Sequence, residues 1–257
     1  MPSNKRERQR AAREARRQAE AAAYRRAKAR KRVFRLAILA VLALVGAYAV
    51  YTATKPEEQR VATDSTTTTS STTPDPRCPP PEGTAERTVA FTEAPPMCID
   101  TNASYTATVE TDVGTFAIEM FPERAPVTVN NFVFLARNKF YEGVPFHRVI
   151  PGFVVQGGDG AKGDGTGGPG YQFGDELPKA GDYEIGSVAM ANSGKDTNGS
   201  QFFVVTGDQG VGLPPSYSLF GKVVEGMDVV KKIEAGGTPS GTPATVYRIV
   251  KVTITES

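Results

Sequence analysis

Residues 105–121 read YTATVETDVGTFAIEMF, with apolar and polar residues alternating through most of the stretch about an Asp112-Val113-Gly114 turn. A period of two puts every second side chain on the same face, so this stretch is committed to a half-buried β-hairpin. Further strand-like runs follow in VPFHRVI, FVVQGG, GSVAMA, QFFVVT and SLFGKVV, and an alternating TVYRIVKVTITE closes the chain. Two segments depart from that period. VTVNNFVFLARNKFY, opened by Ala125-Pro126, brings Val129, Phe132, Val133, Leu135 and Ala136 round at helical spacing, and MDVVKKIEA does the same before Gly236-Gly237. Many short strands, Gly/Pro turns and two helices predict a mainly β fold, a closed barrel with helical caps.

What precedes Tyr105 has a different composition. Residues 1–35 hold 14 Lys/Arg against 3 Glu, a net of +11, while the whole chain is +2, leaving −9 for residues 36–257. The basic character therefore belongs to a tail, and a basic domain surface for nucleic acid is not expected. The tail is rich in helix formers but has no apolar stripe, so it is not a core helix. Residues 36–53, LAILAVLALVGAYAVYTA, carry no charge. As a helix this run extends ~27 Å, enough for a hydrocarbon core. With the Lys/Arg excess ahead of it, it predicts a single transmembrane anchor, the N-terminus cytoplasmic and the remainder outside. The alternative is a signal peptide cleaved at the A-x-A-like Ala47-Tyr48-Ala49, releasing a secreted protein.

Residues 54–77 read as a Thr/Ser/Pro-rich linker too poor in apolar residues to form a core. Residues 78–104 form an extension flanked by Cys78 and Cys98. An even cysteine count in an exported segment favours a disulfide between them, with free thiols as the alternative. One histidine and two cysteines are too few for a metal site of the zinc type, and no metal or cofactor is expected.

The loop GGDGAKGDGTGGPG, residues 157–170, matches a dinucleotide fingerprint by letter but lacks the following helix, so it reads as a side-chain-poor rim round a groove. Just before it, FHRVIPGFVVQGGD places the only histidine, His147, beside Arg148 in an apolar run.

FHRVIPGFVVQGGD, then GTGG, MANSGKDTNGSQFFV and LFGKVVEGMDVV, stand in an order and at spacings that resemble the cyclophilin family of peptidyl-prolyl isomerases, over about residues 105–255. The resemblance implies a closed eight-stranded antiparallel barrel capped by two helices, residues 105–257, with a substrate groove on its outer face. It implies that Arg148 is catalytic. It implies that Phe153, Val154, Phe203 and Leu213 form a proline pocket, with Gln156 and Gln201 in the groove. Ala191, Asn192 and Ser193 match an edge that hydrogen-bonds an extended peptide, and Gly165 and Thr166 match the neighbouring loop. Two positions depart from the family pattern. Tyr217 stands where a histidine is frequent, and Gly212 or a neighbour stands where many members have tryptophan.

The chemistry needs few reactive groups. Rotation about X–Pro faces a barrier of ~18–20 kcal/mol from amide conjugation. A guanidinium that bonds the twisted amide more strongly than the planar one lowers that barrier without a proton shuttle. Arg148 then has the chemical purpose, and the alternation of neighbours turns His147 to the other side of its strand in a structural role, direct contact being the alternative. The whole reads as a membrane-anchored bacterial isomerase and folding chaperone, acting as a monomer on proline-containing segments of exported or envelope proteins. The rival is a weakly active module that binds such segments.

Overall fold

The computed structural model describes residues 75–257. Its strands are β1 (Tyr105–Thr111), β2 (Gly114–Met120), β3 (Arg148–Ile150), β4 (Val154–Gly157), β5 (Ser187–Met190), β6 (Phe202–Val205), β7 (Leu219–Glu225) and β8 (Ile249–Glu256). Its helices are α1 (Pro126–Arg137), α2 (Asp208–Val211) and α3 (Met227–Ala235). The strands make one antiparallel sheet in the order β3-β4-β6-β5-β7-β2-β1-β8.

The expected closed barrel is corrected. The sheet is an open, strongly curled half-barrel, with no ladder between its edge strands β3 and β8. β3 is only three residues long, and the segment before it contains Pro145, which has no N–H to give. The seam is therefore spanned by an isolated bridge, Pro145 to Arg248. Single bonds support it from Gly143 N to Ile249 O (2.7 Å) and from Phe146 N to Tyr247 O (3.0 Å).

Alternation along the short strands sorts side chains into two clusters. Val149, Val155, Val188, Met190, Phe202, Val204 and Phe220 join the interior core with Phe116, Ile118 and Phe132. Val154, Ala189, Phe203, Val205 and Leu219 form a second cluster on the outer face. That is why β5 and β6 are buried at every position, since both faces of these strands are covered.

α1 closes one end of the curl, with Phe132 stacked on Tyr141 (4.9 Å) and edge-on to Phe202 (5.5 Å). Its N-cap, Ala125, has no side-chain acceptor. The Glu176 carboxylate serves instead, accepting from Val127 N (3.0 Å) and Thr128 N (2.8 Å).

Cys78 and Cys98 are joined, with a Cα–Cα distance of 5.4 Å and a separation of 20 residues. A loop of this size stabilises by about 3 kcal/mol in the chain-entropy picture. Replacing both cysteines by serine is expected to lower the unfolding free energy by about that amount in urea titrations. An unchanged midpoint counts against it.

The single-pass membrane form is also corrected. Among the described residues no helix is long and apolar enough to cross a membrane. A span needs about 20 residues, and the longest described helix, α1, has 12. The run 36–53, the tail 1–35 and most of the linker 54–77 lie outside the described residues. The anchored topology, with its cytoplasmic N-terminus, exported domain and membrane partner, therefore has no spanning helix among the described residues to rest on.

Candidate active site

The register of the sheet builds the site. Arg148 on β3 lies opposite Gln156 on β4, Gln156 opposite Phe203 on β6, and Phe203 opposite Ala189 on β5. Opposed residues on antiparallel strands share a face, so this row emerges together on the outer side of the curl. Val154, two residues along β4, joins it. The tight turn at Gly152 swings Phe153 over the row, and the Arg148 guanidinium carbon lies 5.6 Å from the Phe153 ring centre. That turn is held from behind by Glu234 on α3, which accepts from Gly152 N (2.8 Å) while taking the Lys231 ammonium (2.8 Å).

The result is a cavity of about 300 Å³ lined by Arg148, Phe153, Val154, Gln156, Ala191, Asn192, Phe203, Leu213 and Tyr217. A second cavity of about 440 Å³ shares Gln156, Ala191 and Asn192 with it and adds Gly165, Thr166, Ser193 and Gln201. Every residue singled out from the sequence for the groove lies in one or both of these adjoining arms. The first has an aromatic and aliphatic floor, and the second is walled by backbone and amides.

A relay of side chains links the arms. Arg148 Nη1 donates to Gln156 Oε1 (3.2 Å), Gln156 Nε2 donates to Gln201 Oε1 (3.2 Å), and Gln201 Nε2 donates to Gly165 O (3.0 Å) and Gly167 O (2.9 Å). Arg148 takes part in none of the ion pairs among the described residues. Its charge thus faces the groove without a carboxylate to neutralise it.

His147 lines neither arm. It packs beneath Gly165, whose φ of +89° and closeness to the imidazole leave no room for a Cβ. Burial pushes the imidazole below the ordinary histidine range, against the opposing pull of Asp159 and Asp164. The loop above it is gathered by the buried Asp159 carboxylate, which accepts from Lys162 N (3.0 Å), Gly165 N (2.9 Å) and Gly167 N (2.9 Å). Burial alone would raise that carboxyl, but the backbone donors outweigh it and hold it below the usual range.

Tyr217 closes the apolar arm edge-on to Phe203, with ring centres 5.4 Å apart. The Tyr183 hydroxyl clasps its backbone, donating to Tyr217 O (2.7 Å) and accepting from Tyr217 N (3.1 Å). Gly212 is the C-cap of the four-residue α2.

Sequence reasoning did not single out Asp159 or Glu234. An acidic residue inside a run of glycines was the available signal for the first. The second had none beyond a Lys at i−3.

A family model described as cyclophilin type peptidyl-prolyl cis-trans isomerase/CLD matches residues 106–254, from the second residue of β1 into β8. The chain belongs to that family. As an isomerase of this type it is 45% identical over 133 residues to a peptidyl-prolyl cis-trans isomerase of Helicobacter pylori, covering 51% of this chain and 80% of that one. It is 49% identical over 119 residues to peptidyl-prolyl cis-trans isomerase B of Bacillus subtilis, covering 46% and 82%. The isomerase fold superposes on a cyclophilin type peptidyl-prolyl cis-trans isomerase of Cryptosporidium parvum with a TM-score of 0.54 at 30% identity, covering 60% of this chain and 99% of the other.

Proposed function

We propose that this isomerase turns X–Pro bonds in proline-containing polypeptides by donating a hydrogen bond from Arg148 to the twisted amide. The observation that carries the reading is an unneutralised guanidinium at the rim of an apolar cavity of about 300 Å³. The proline ring sits against Phe153, Val154, Phe203, Leu213 and Tyr217. The flanking peptide lies along Ala191–Ser193 into the arm formed by Gly165, Thr166 and Gln201. As the amide twists, its nitrogen becomes basic and its carbonyl swings. A fixed cationic fork bonds that state better than the planar one. Each ~1.4 kcal/mol of such preference is tenfold in rate.

The test is isomerisation of a short X–Pro peptide, followed as kcat/KM against pH. His147 is already neutral above its lowered range and lies outside both arms, so no group in the proposed chemistry changes charge between pH 6.5 and 8. The expected profile is flat there. A steep bell across that window would falsify the proton-free mechanism. Peptide binding without turnover would instead favour a binding module, with Tyr217 and the missing tryptophan as the departures to revert.

A further inference from the structure

Residues 78–104 precede the family match, which begins at residue 106, yet they form a strap that reaches the rim of the groove. Its segment 84–91 runs over the C-terminal end of α1. Thr84 N donates to Arg137 O (2.8 Å) and Thr88 N to Asn138 O (3.0 Å). The Arg87 guanidinium donates to Lys139 O (3.2 Å) and Phe140 O (3.0 Å). The strap thereby supplies donors to carbonyls at and just beyond the end of a helix.

Two further bonds pass beyond the helix into the glycine-rich loop. Arg87 Nη2 also donates to Gly160 O (3.0 Å), and Phe91 N donates to Pro169 O (2.8 Å). The Phe91 ring packs against Phe134 (5.0 Å) and Tyr171 (6.3 Å). Gly170, at φ +101°, lies so close that a Cβ there would run into the Phe91 carbonyl. The loop is therefore gripped from outside at both ends, while Asp159 gathers its middle. Its inner side is the wall of the polar arm and supplies the carbonyls that hold Gln201. The far end of the strap is fixed as well, since Cys98 N donates to Asn130 Oδ1 (2.7 Å) and Asn130 Nδ2 donates to Pro96 O (2.8 Å).

We propose that the disulfide-closed strap is a positioning element for the substrate groove: Arg87 and Phe91 set the wall of the polar arm, and with it the affinity for residues flanking the proline. This rests on the isomerase reading above. Arg148 reaches that wall only through Gln156 and Gln201, and Asp159 still holds Gly165 and Gly167 when Arg87 is gone. Loss of the grip therefore acts on binding and leaves the rotation step alone.

The test compares the full chain with its Arg87→Ala and Arg87→Lys variants on two probes. One is a blocked two-residue X–Pro amide that fills only the apolar arm. The other is a six-residue peptide with proline at its centre. For the longer peptide, Arg87→Ala is expected to raise KM about fivefold with kcat within about twofold, from loss of charge-assisted bonds, while the short amide is unaffected. Arg87→Lys recovers part of the loss. Reduction of Cys78–Cys98 gives the same split, and amide exchange at Phe91, whose N–H donates to Pro169 O, speeds up in both cases. An unchanged KM, or an equal loss on both peptides, overturns the proposal. Should the wild type isomerise neither peptide, it is the isomerase reading that falls. Calorimetric binding of the six-residue peptide and the exchange rates then judge the strap by themselves, and no change in either on Arg87→Ala overturns it.

Discussion

Replacing Arg148 by alanine is expected to lower kcat/KM for an X–Pro peptide about a hundredfold, the size found when one preorganised donor is removed from a reaction centre. The fold should survive. Arg148 is half-buried on the edge strand β3, its side chain belongs to neither core cluster, and Gln156 keeps its bond to Gln201. The fall should lie mainly in kcat, because the guanidinium is held to act on the twisted amide more than on the planar one. Arg148→Lys keeps the charge but loses the planar fork, and should recover only part of the rate. The measurement is a peptide isomerisation assay with thermal melts of both variants. A loss under threefold in a fully folded Arg148→Ala protein removes Arg148 from the mechanism.

The second large effect concerns stability. Asp159→Asn retains one acceptor oxygen but brings an amide N–H₂ against the backbone donors that the carboxylate now satisfies. Charge-assisted bonds in a buried site contribute strongly, and the expected cost at pH 7 is about 2–3 kcal/mol. The pH dependence gives the sign. The Asp159 carboxyl is held below its unfolded value, so its stabilisation is complete above that value and is lost as pH falls through the folded one. With an unfolded value near ~3.9, the gap between wild type and variant should be constant from neutral pH to about 5 and shrink below about 4. Urea titrations at neutral pH and in acid decide it. A gap that stays constant into acid means that the carboxylate charge is not what holds the loop.

Much of the fold was legible because period and punctuation agreed. The hairpin of β1 and β2, and the helices α1 and α3, follow from alternation, Pro126 and the glycine pair after Ala235. The four-residue α2 is too short to show a helical period. Barrel closure was misread because sequence pattern reports which way side chains face and says nothing of whether the two edges pair. The deciding facts were a three-residue β3 and the missing N–H of Pro145. At the groove, the aromatic floor and Arg148 were found through family motifs, since FVVQGG and QFFVV taken alone read equally well as core. The strap escaped because its hydrogen bonds come from backbone N–H groups and one exposed arginine, and its apolar contacts, Val89 and Phe91, are too few to show a period.

β1 has its partners at opposite ends of the domain, β2 immediately after it and β8 at the far end, with Tyr105 paired to Glu256. Vectorial synthesis therefore delivers the first strand of the sheet long before the last. Until β8 leaves the ribosome, β1 waits as an unpaired edge, the kind of surface that recruits strands from other chains. Pairing the first strand with the last is a contact of long sequence separation, the kind whose loop-closure cost slows folding and lengthens that exposure.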